Sequence, residues 1–538
     1  MAKATLLDAA KPEGKLGPAV ELPLLRQLAG QGSAVAQYNL GVVYDQGTET
    51  PQDYAIAAVW YRKAADQGLP QAQYNLGVLY TNGHGVPQDF VLAATWYRKS
   101  ADQGLGIAQS NLGALYEQGK GVTKDIALAA AFYRKAANQG VALGEVNLGV
   151  LYEKGLGVPQ DLKMATDLYR KAADQGLVQG EDNLGLSYES GRGVTKRYPL
   201  AVFWYGKAAD QGFADAEAHL GAMYADGSGV PRDYSLFAAW SRKAAEQGNA
   251  LGQYNLGVAY ANGQGVTQDF TLAASWYQKA AQQGDPDAQY HLGRFYDDGR
   301  GVPKDTTLSL TWIKKAAEQG QSEAEYFIGL DYDNGVGVPQ DFEQAATWYR
   351  KSADQGYASA QSNLGILYKH GRGVPQSYAD AARWYLKAAE AGDAAAQFNL
   401  ALLYKDGLGV PRDEALAASW DEKSAMQGQP EAELNLGLSY ANGHGKELDY
   451  NKSAYWLRKA ADSGMAGAQY MLSLLYVYGR GVPQDFTQAA LWCQRAAGQG
   501  LPAAELQLAD FYTNGQGVPK DASLAAVWRS RATEQHTN

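Results

Sequence analysis

Apolar positions in this chain return every 36 residues, and the same small pattern of helix spacing and breakers recurs inside each period. In the second period, Ala72, Leu76, Leu79 and Tyr80 fall at helical spacing and predict a first helix of about twelve residues. Asn82-Gly83-His84-Gly85 breaks it, because glycine takes positive φ at a helix end without a Cβ clash. Pro87 pre-sets the turn, and Asp89 stands where a helix N-cap is needed. A second helix then runs through Trp96, Tyr97 and Ala101 to Gly104.

The columns hold register through fourteen repeats with no insertion. The Leu40-Gly41 column runs to Leu508-Ala509, Tyr44 to Tyr512 is tyrosine throughout, and Gly47 to Gly515 is glycine throughout. All twelve tryptophans occupy one column, Trp60 to Trp528, with Phe132 and Leu168 in its two gaps. Aspartate, or Ser377, fills the N-cap column in thirteen repeats; Arg197, followed by Pro199 in the first turn, is the exception. A fixed period of this size predicts an all-α solenoid whose repeats bury their apolar faces against their neighbours. Small residues in the Ala36, Gly41 and Ala65 columns let helices approach, and the Leu40, Tyr44 and Trp60 columns fill the space between layers.

The ends fit the same register. Residues 19–32 align with a second helix, with Leu24 in the tryptophan column and Gly32 in the closing glycine column, and are expected to form an N-terminal capping helix. Residues 1–18 are expected to be a flexible segment, 33–536 the solenoid and 537–538 a tail. Arg529, Arg531 and Glu534 make the last helix polar, as the outer face of a terminal repeat requires.

Composition narrows the function. A net charge of −10 argues against general nucleic-acid binding, which needs a basic face, and against an anionic membrane surface. No run of about 20 apolar residues and no signal-peptide pattern appears, so no membrane span is expected and a cytoplasmic location is expected. The single cysteine, Cys493, permits no intrachain disulfide and reads as a core substitution. The six histidines include no H-E-x-x-H or closely spaced ligand set, so no metal or cofactor is expected. The G-x-G of each loop follows a helix rather than a strand and lacks the lysine of a phosphate loop. The column Lys63 to Arg531 is basic in every repeat; with acids such as Asp66 beside it, it reads as a solvated edge.

The motif A-x-Y-N-L-G-x-x-Y-x-x-G-x-G-V-P-x-D-x-x-x-A-x-x-W-Y-R-K-A-A-x-Q-G, met almost in full by the second repeat, resembles the Sel-one-like repeat (SLR) family, which is related to tetratricopeptide repeats. The resemblance implies a right-handed α/α superhelix whose concave groove holds protein or peptide. Members of this family serve as adaptors and scaffolds, and a cysteine-rich branch pins each repeat with a disulfide that this sequence lacks. The first repeat departs from the motif at Glu49, and the twelfth lacks the loop proline in Gly443-His444-Gly445-Lys446-Glu447-Leu448.

The resemblance also implies that first helices line the groove and that the asparagine before Leu-Gly meets ligand. That column holds Asn39, Asn75, Asn111, Asn147, Asn183, Asn255, Asn363, Asn399 and Asn435. An amide both donates and accepts, so a ladder of them suits an extended peptide backbone; bonding between neighbouring helices is the competing use. Repeats seven to nine depart from the columns. Tyr254, Tyr290 and Tyr326 follow one another, and the same helices carry Asn255, His291, Arg294 and Phe327, with Asp297, Asp298, Asp331 and Asp333 nearby. Tyrosine and arginine are favoured interface anchors, and the acids would steer a basic partner. The expected function is a non-catalytic scaffold or adaptor for protein or extended peptide. An immunity or inhibitor protein that wraps one toxin or enzyme, and a hydrolase with a groove-built site, are the alternatives.

Overall fold

The computed structural model describes residues 22–534. Among the described residues there are 29 helices and no strand. The first, α1 (Leu22–Gly30), lies within the segment 19–32; residues 19–21 of that segment, the segment 1–18 and the tail 537–538 lie outside the described residues. The remaining helices form fourteen pairs, beginning with α2 (Ala34–Gln46) and α3 (Tyr54–Asp66), and each pair is one 36-residue repeat. The helices divide into two compact units, one ending at Gln283 and the other starting at Gly284.

Capping chemistry fixes both ends of the helices. Asp53, extended at φ −145°, accepts from the Ile56 amide and starts α3, and the aspartate column repeats this. Arg197 holds the same extended backbone but makes no side-chain cap, and Pro199 follows it in the first turn. The Gly47 column ends each first helix at positive φ, near 70°. The second loop glycine has a separate reason. A Cβ on Gly85 would lie 2.2 Å from the Tyr54 carbonyl carbon, so the loop of one repeat rests on the helix start of the previous one. At Glu49 the first repeat keeps its loop without positive φ, since no described non-glycine residue has one.

The core repeats one contact. The tyrosine after tryptophan lies under the glycine of Leu-Gly: a Cβ on Gly41 would stand 2.6 Å from the Tyr61 ring, and one on Gly77 2.7 Å from that of Tyr97. The buried hydroxyl is anchored by a carboxylate at the end of the first helix, as in Tyr61–Asp45 at 2.9 Å and Tyr133–Glu117 at 2.7 Å. Where the glycine is replaced, the ring is absent too: Ala401 goes with Asp421, Ser473 with Cys493 and Ala509 with Arg529.

Polar relays join one repeat to the next. Buried Gln73 donates to the Ala65 carbonyl of the previous repeat at 3.1 Å and accepts from Gln103 of its own repeat at 2.8 Å. Glutamate keeps only the accepting half at Glu145, Glu181 and Glu217, which accept from Gln175, Gln211 and Gln247 of their own repeats. Arg62 donates to the Tyr80 hydroxyl of the following repeat, and Arg98 does so to Tyr116. Satisfying these groups is what permits their burial.

Candidate functional site

Two of the regular columns are occupied by the stack itself. The basic column lies over the tryptophan three residues before it: Lys279 stands 3.7 Å from the Trp276 ring centroid and Lys99 4.1 Å from that of Trp96. These ammonium groups cover the exposed edge of the tryptophans, which gives the solvated edge a structural task. Cys493 is fully buried, its thiol directed at the Ala504 carbonyl at 3.1 Å, and burial pushes its pKa up to about 12.

The asparagine column runs along the seams between first helices. The Asn75 amide bonds the hydroxyls of Tyr38 and Tyr61 in the previous repeat, and Asn111 does the same with Tyr74 and Tyr97. Asn363 donates to the Tyr349 hydroxyl at 3.3 Å and also meets Tyr326. Asn255 reaches the Ala218 carbonyl at 3.2 Å, where no tyrosine is present to take it. Asn399 turns back to its own helix at Ala395, and Asn39 is half-buried in the first repeat. His219, which stands in this column, pairs instead with buried Asp182 at 2.9 Å.

The departures predicted for repeats seven to nine fall on both sides of the division between the compact units. Tyr254 belongs to the first unit, half-buried, with its ring 6.0 Å from that of Tyr277. The others share two neighbouring helices of the second unit, Pro286–Asp298 and Ser322–Asn334. There Arg294 takes a position that the other repeats, Asp510 aside, give to an apolar residue, and Phe327 takes an asparagine position. The two meet, with the guanidinium 4.2 Å from the ring centroid. Tyr290 stands 5.8 Å from Phe327 and 5.2 Å from His291, and Tyr326 lies 5.5 Å from Phe327 and 5.1 Å from Tyr357. All six of these side chains are half-buried.

The acids divide into two kinds. Asp333 accepts from the Tyr349 hydroxyl at 3.1 Å and belongs to the core anchor. Asp298 lies 3.8 Å from Arg294 and 3.1 Å from Arg300. Asp331 occupies a column that is leucine in Leu79, Leu115 and Leu151; burial first, then Asp297, raise its carboxyl to about 6, against the pull of Arg294. Burial also raises Tyr290 to about 12 and holds His291 below the ordinary imidazole range, opposed by Asp287 and Glu323. The patch is therefore aromatic in the middle with acids on its border. Sequence reasoning missed Tyr357, whose signal was its place in a column otherwise led by Leu69 and Leu105.

Among the described residues no cluster of three or more histidine, cysteine, aspartate or glutamate side chains has metal-binding geometry. No described helix is long and apolar enough to cross a membrane.

Comparison with known proteins places the chain. The Sel1 repeat model matches fourteen consecutive segments, from 34–69 to 502–536. Among solved structures, a protective antigen of uropathogenic Escherichia coli with an SLR fold is 34% identical, over 96% of this chain and 97% of that one, with a TM-score of 0.46. A Sel1 repeat protein from Oxalobacter formigenes is 35% identical over 58% of this chain and 90% of that one, with a TM-score of 0.41. An immunity protein from Pseudomonas aeruginosa is 26% identical over 40% of this chain and 81% of that one, with a TM-score of 0.29. No curated protein matches the chain.

Proposed function

The chain belongs to the Sel1 repeat family, and from that premise we propose that it is a non-catalytic scaffold that holds a protein or an extended peptide of basic character on its first helices. The observation that carries this reading is the patch built by Tyr290, Arg294, Phe327 and Tyr326, where two departures from the repeat columns, Arg294 and Phe327, meet between two tyrosines. Arg294 and Phe327 break the columns together while staying half-buried, which leaves them available to a partner. Half-buried aromatics offer contact area at small entropic cost, and an arginine on an aromatic face is held ready for use. Asp297, Asp298 and Asp331 beside them attract cationic side chains, in keeping with a net charge of −10.

The test is selection of binders from a random peptide library on the full chain, followed by affinity and melting measurements on Tyr290→Ala and Arg294→Ala. The reading expects peptides enriched in lysine and arginine. It also expects each substitution to weaken their binding at least tenfold, about 1.4 kcal/mol, with little change in melting temperature. Unchanged affinity together with a lowered melting temperature would assign the patch to the stack and overturn the reading.

A further inference from the structure

The fifth repeat contains a second departure, on different residues and independent of the patch above. Its first helix carries Ser187 in the column that holds Leu79, Leu115 and Leu151 in earlier repeats. Beside Ser187 a cleft of about 400 Å³ lies between that helix, Val178–Ser190, and the second helix of the fourth repeat, Leu162–Asp174. Its wall mixes apolar side chains with Tyr169, Asn183, Glu153, Glu189, Arg192 and Lys196.

These groups are not equally committed. Glu153 accepts from the Tyr169 hydroxyl at 2.7 Å and from Arg192 at 3.1 Å, so both its oxygens are in use. Glu189 accepts from the Tyr205 hydroxyl at 2.5 Å through one oxygen, and its other oxygen has no partner among the described residues. The Lys196 ammonium lies 4.6 Å from the Tyr198 ring centroid and makes no ion pair among the described residues. The Asn183 amide also has no partner among the described residues. Its column normally reaches back to tyrosines of the previous repeat, as Asn75 reaches Tyr38 and Tyr61, but here the counterpart of Tyr38 is buried Val146 and that of Tyr61, Tyr169, donates to Glu153.

The cleft thus offers two donors, one of them cationic, and one anionic acceptor, with two acids and two bases in its wall. The geometry points to a binding site for a small zwitterion: a free α-amino acid or the paired termini of a short peptide. Its carboxylate takes Lys196 and the Asn183 amide, and its ammonium takes the open oxygen of Glu189. The volume falls within the range of small-molecule sites. A molecule with a single charge satisfies only half of the wall and leaves the other half desolvated, which costs affinity.

Saturation-transfer NMR and calorimetry on the full chain, with the free L-amino acids and glycylglycine as probes and acetate and methylammonium as single-charge controls, test this. Binding of at least one zwitterionic probe, at least tenfold tighter than either control, is expected. Which of the two probe classes binds identifies the source. Ser187→Leu, which restores the usual side chain of the column, is expected to abolish binding with an unchanged or higher melting temperature. Lys196→Gln, which installs the residue found at Gln88 and Gln160 in the same column, is expected to weaken it at least tenfold. Failure of every zwitterion to bind, equal binding of acetate, or undiminished binding by both variants overturns the assignment.

Discussion

Glycine and tyrosine are matched at the scale of single residues. Gly77 is required by the Tyr97 ring, because an added Cβ would lie 2.7 Å from two of its carbons. Gly77→Ala is expected to destabilise its repeat by about 1–3 kcal/mol, the usual cost of overpacking. The same alanine is expected to cost much less in a Tyr97→Cys background, the small-residue arrangement used at Ser473 and Cys493. A double-mutant cycle read by local hydrogen exchange checks this, since a long repeat array need not unfold in one step; additive effects would refute the pairing. Asp421 is the second residue-scale case. It stands in the tyrosine column, 3% exposed, and burial raises its carboxyl to about 7, against the opposing pull of Asn435 and Lys405. A raised carboxyl favours the folded state only while it is protonated. That contribution is complete below the ordinary aspartate range and is lost as pH rises through about 7. Asp421→Asn is therefore expected to gain on the parent protein by about 2–3 kcal/mol between pH 5 and pH 8. Urea unfolding at the two pH values measures it, and a constant difference would show that the carboxylate remains ionised throughout.

Helices are where capping and propensity act. Thirteen of the fourteen second helices present aspartate or serine in the N-cap column, and that preference, the closing glycines and the helix lengths were all readable in the sequence. The exception gives a prediction. Arg197 leaves the first amides of the helix Tyr198–Asp210 without a side-chain acceptor and places a cation at the positive end of the helix dipole. Arg197→Asp is expected to stabilise that helix by about 1 kcal/mol, seen as slower amide exchange over residues 198–204. No change in exchange would mean that Pro199 alone sets the start.

Across the whole molecule, the sequence by itself determined the repeat. A 36-residue period with invariant breakers leaves few arrangements other than paired helices in series, because each apolar face must find its partner in the neighbouring repeat. That Arg294, Phe327 and His291 break the pattern was also legible, since departures from a strict repeat are visible without coordinates. What those residues touch was not. A column position says which side of a helix a residue occupies, but not which side chain from the next repeat reaches it. Only the packed structure decided that Asn75 spans two tyrosine hydroxyls, that the lysine column rests on tryptophan rings, and that Arg294 lies over Phe327. It likewise decided that Ser187 borders an open cleft while Cys493 is fully buried. The physical reason is the same in each case. Periodicity records the backbone's hydrogen bonding and the average burial of a position. Specific pairing depends on how long side chains from different repeats divide a shared space, and that is settled only when the helices pack.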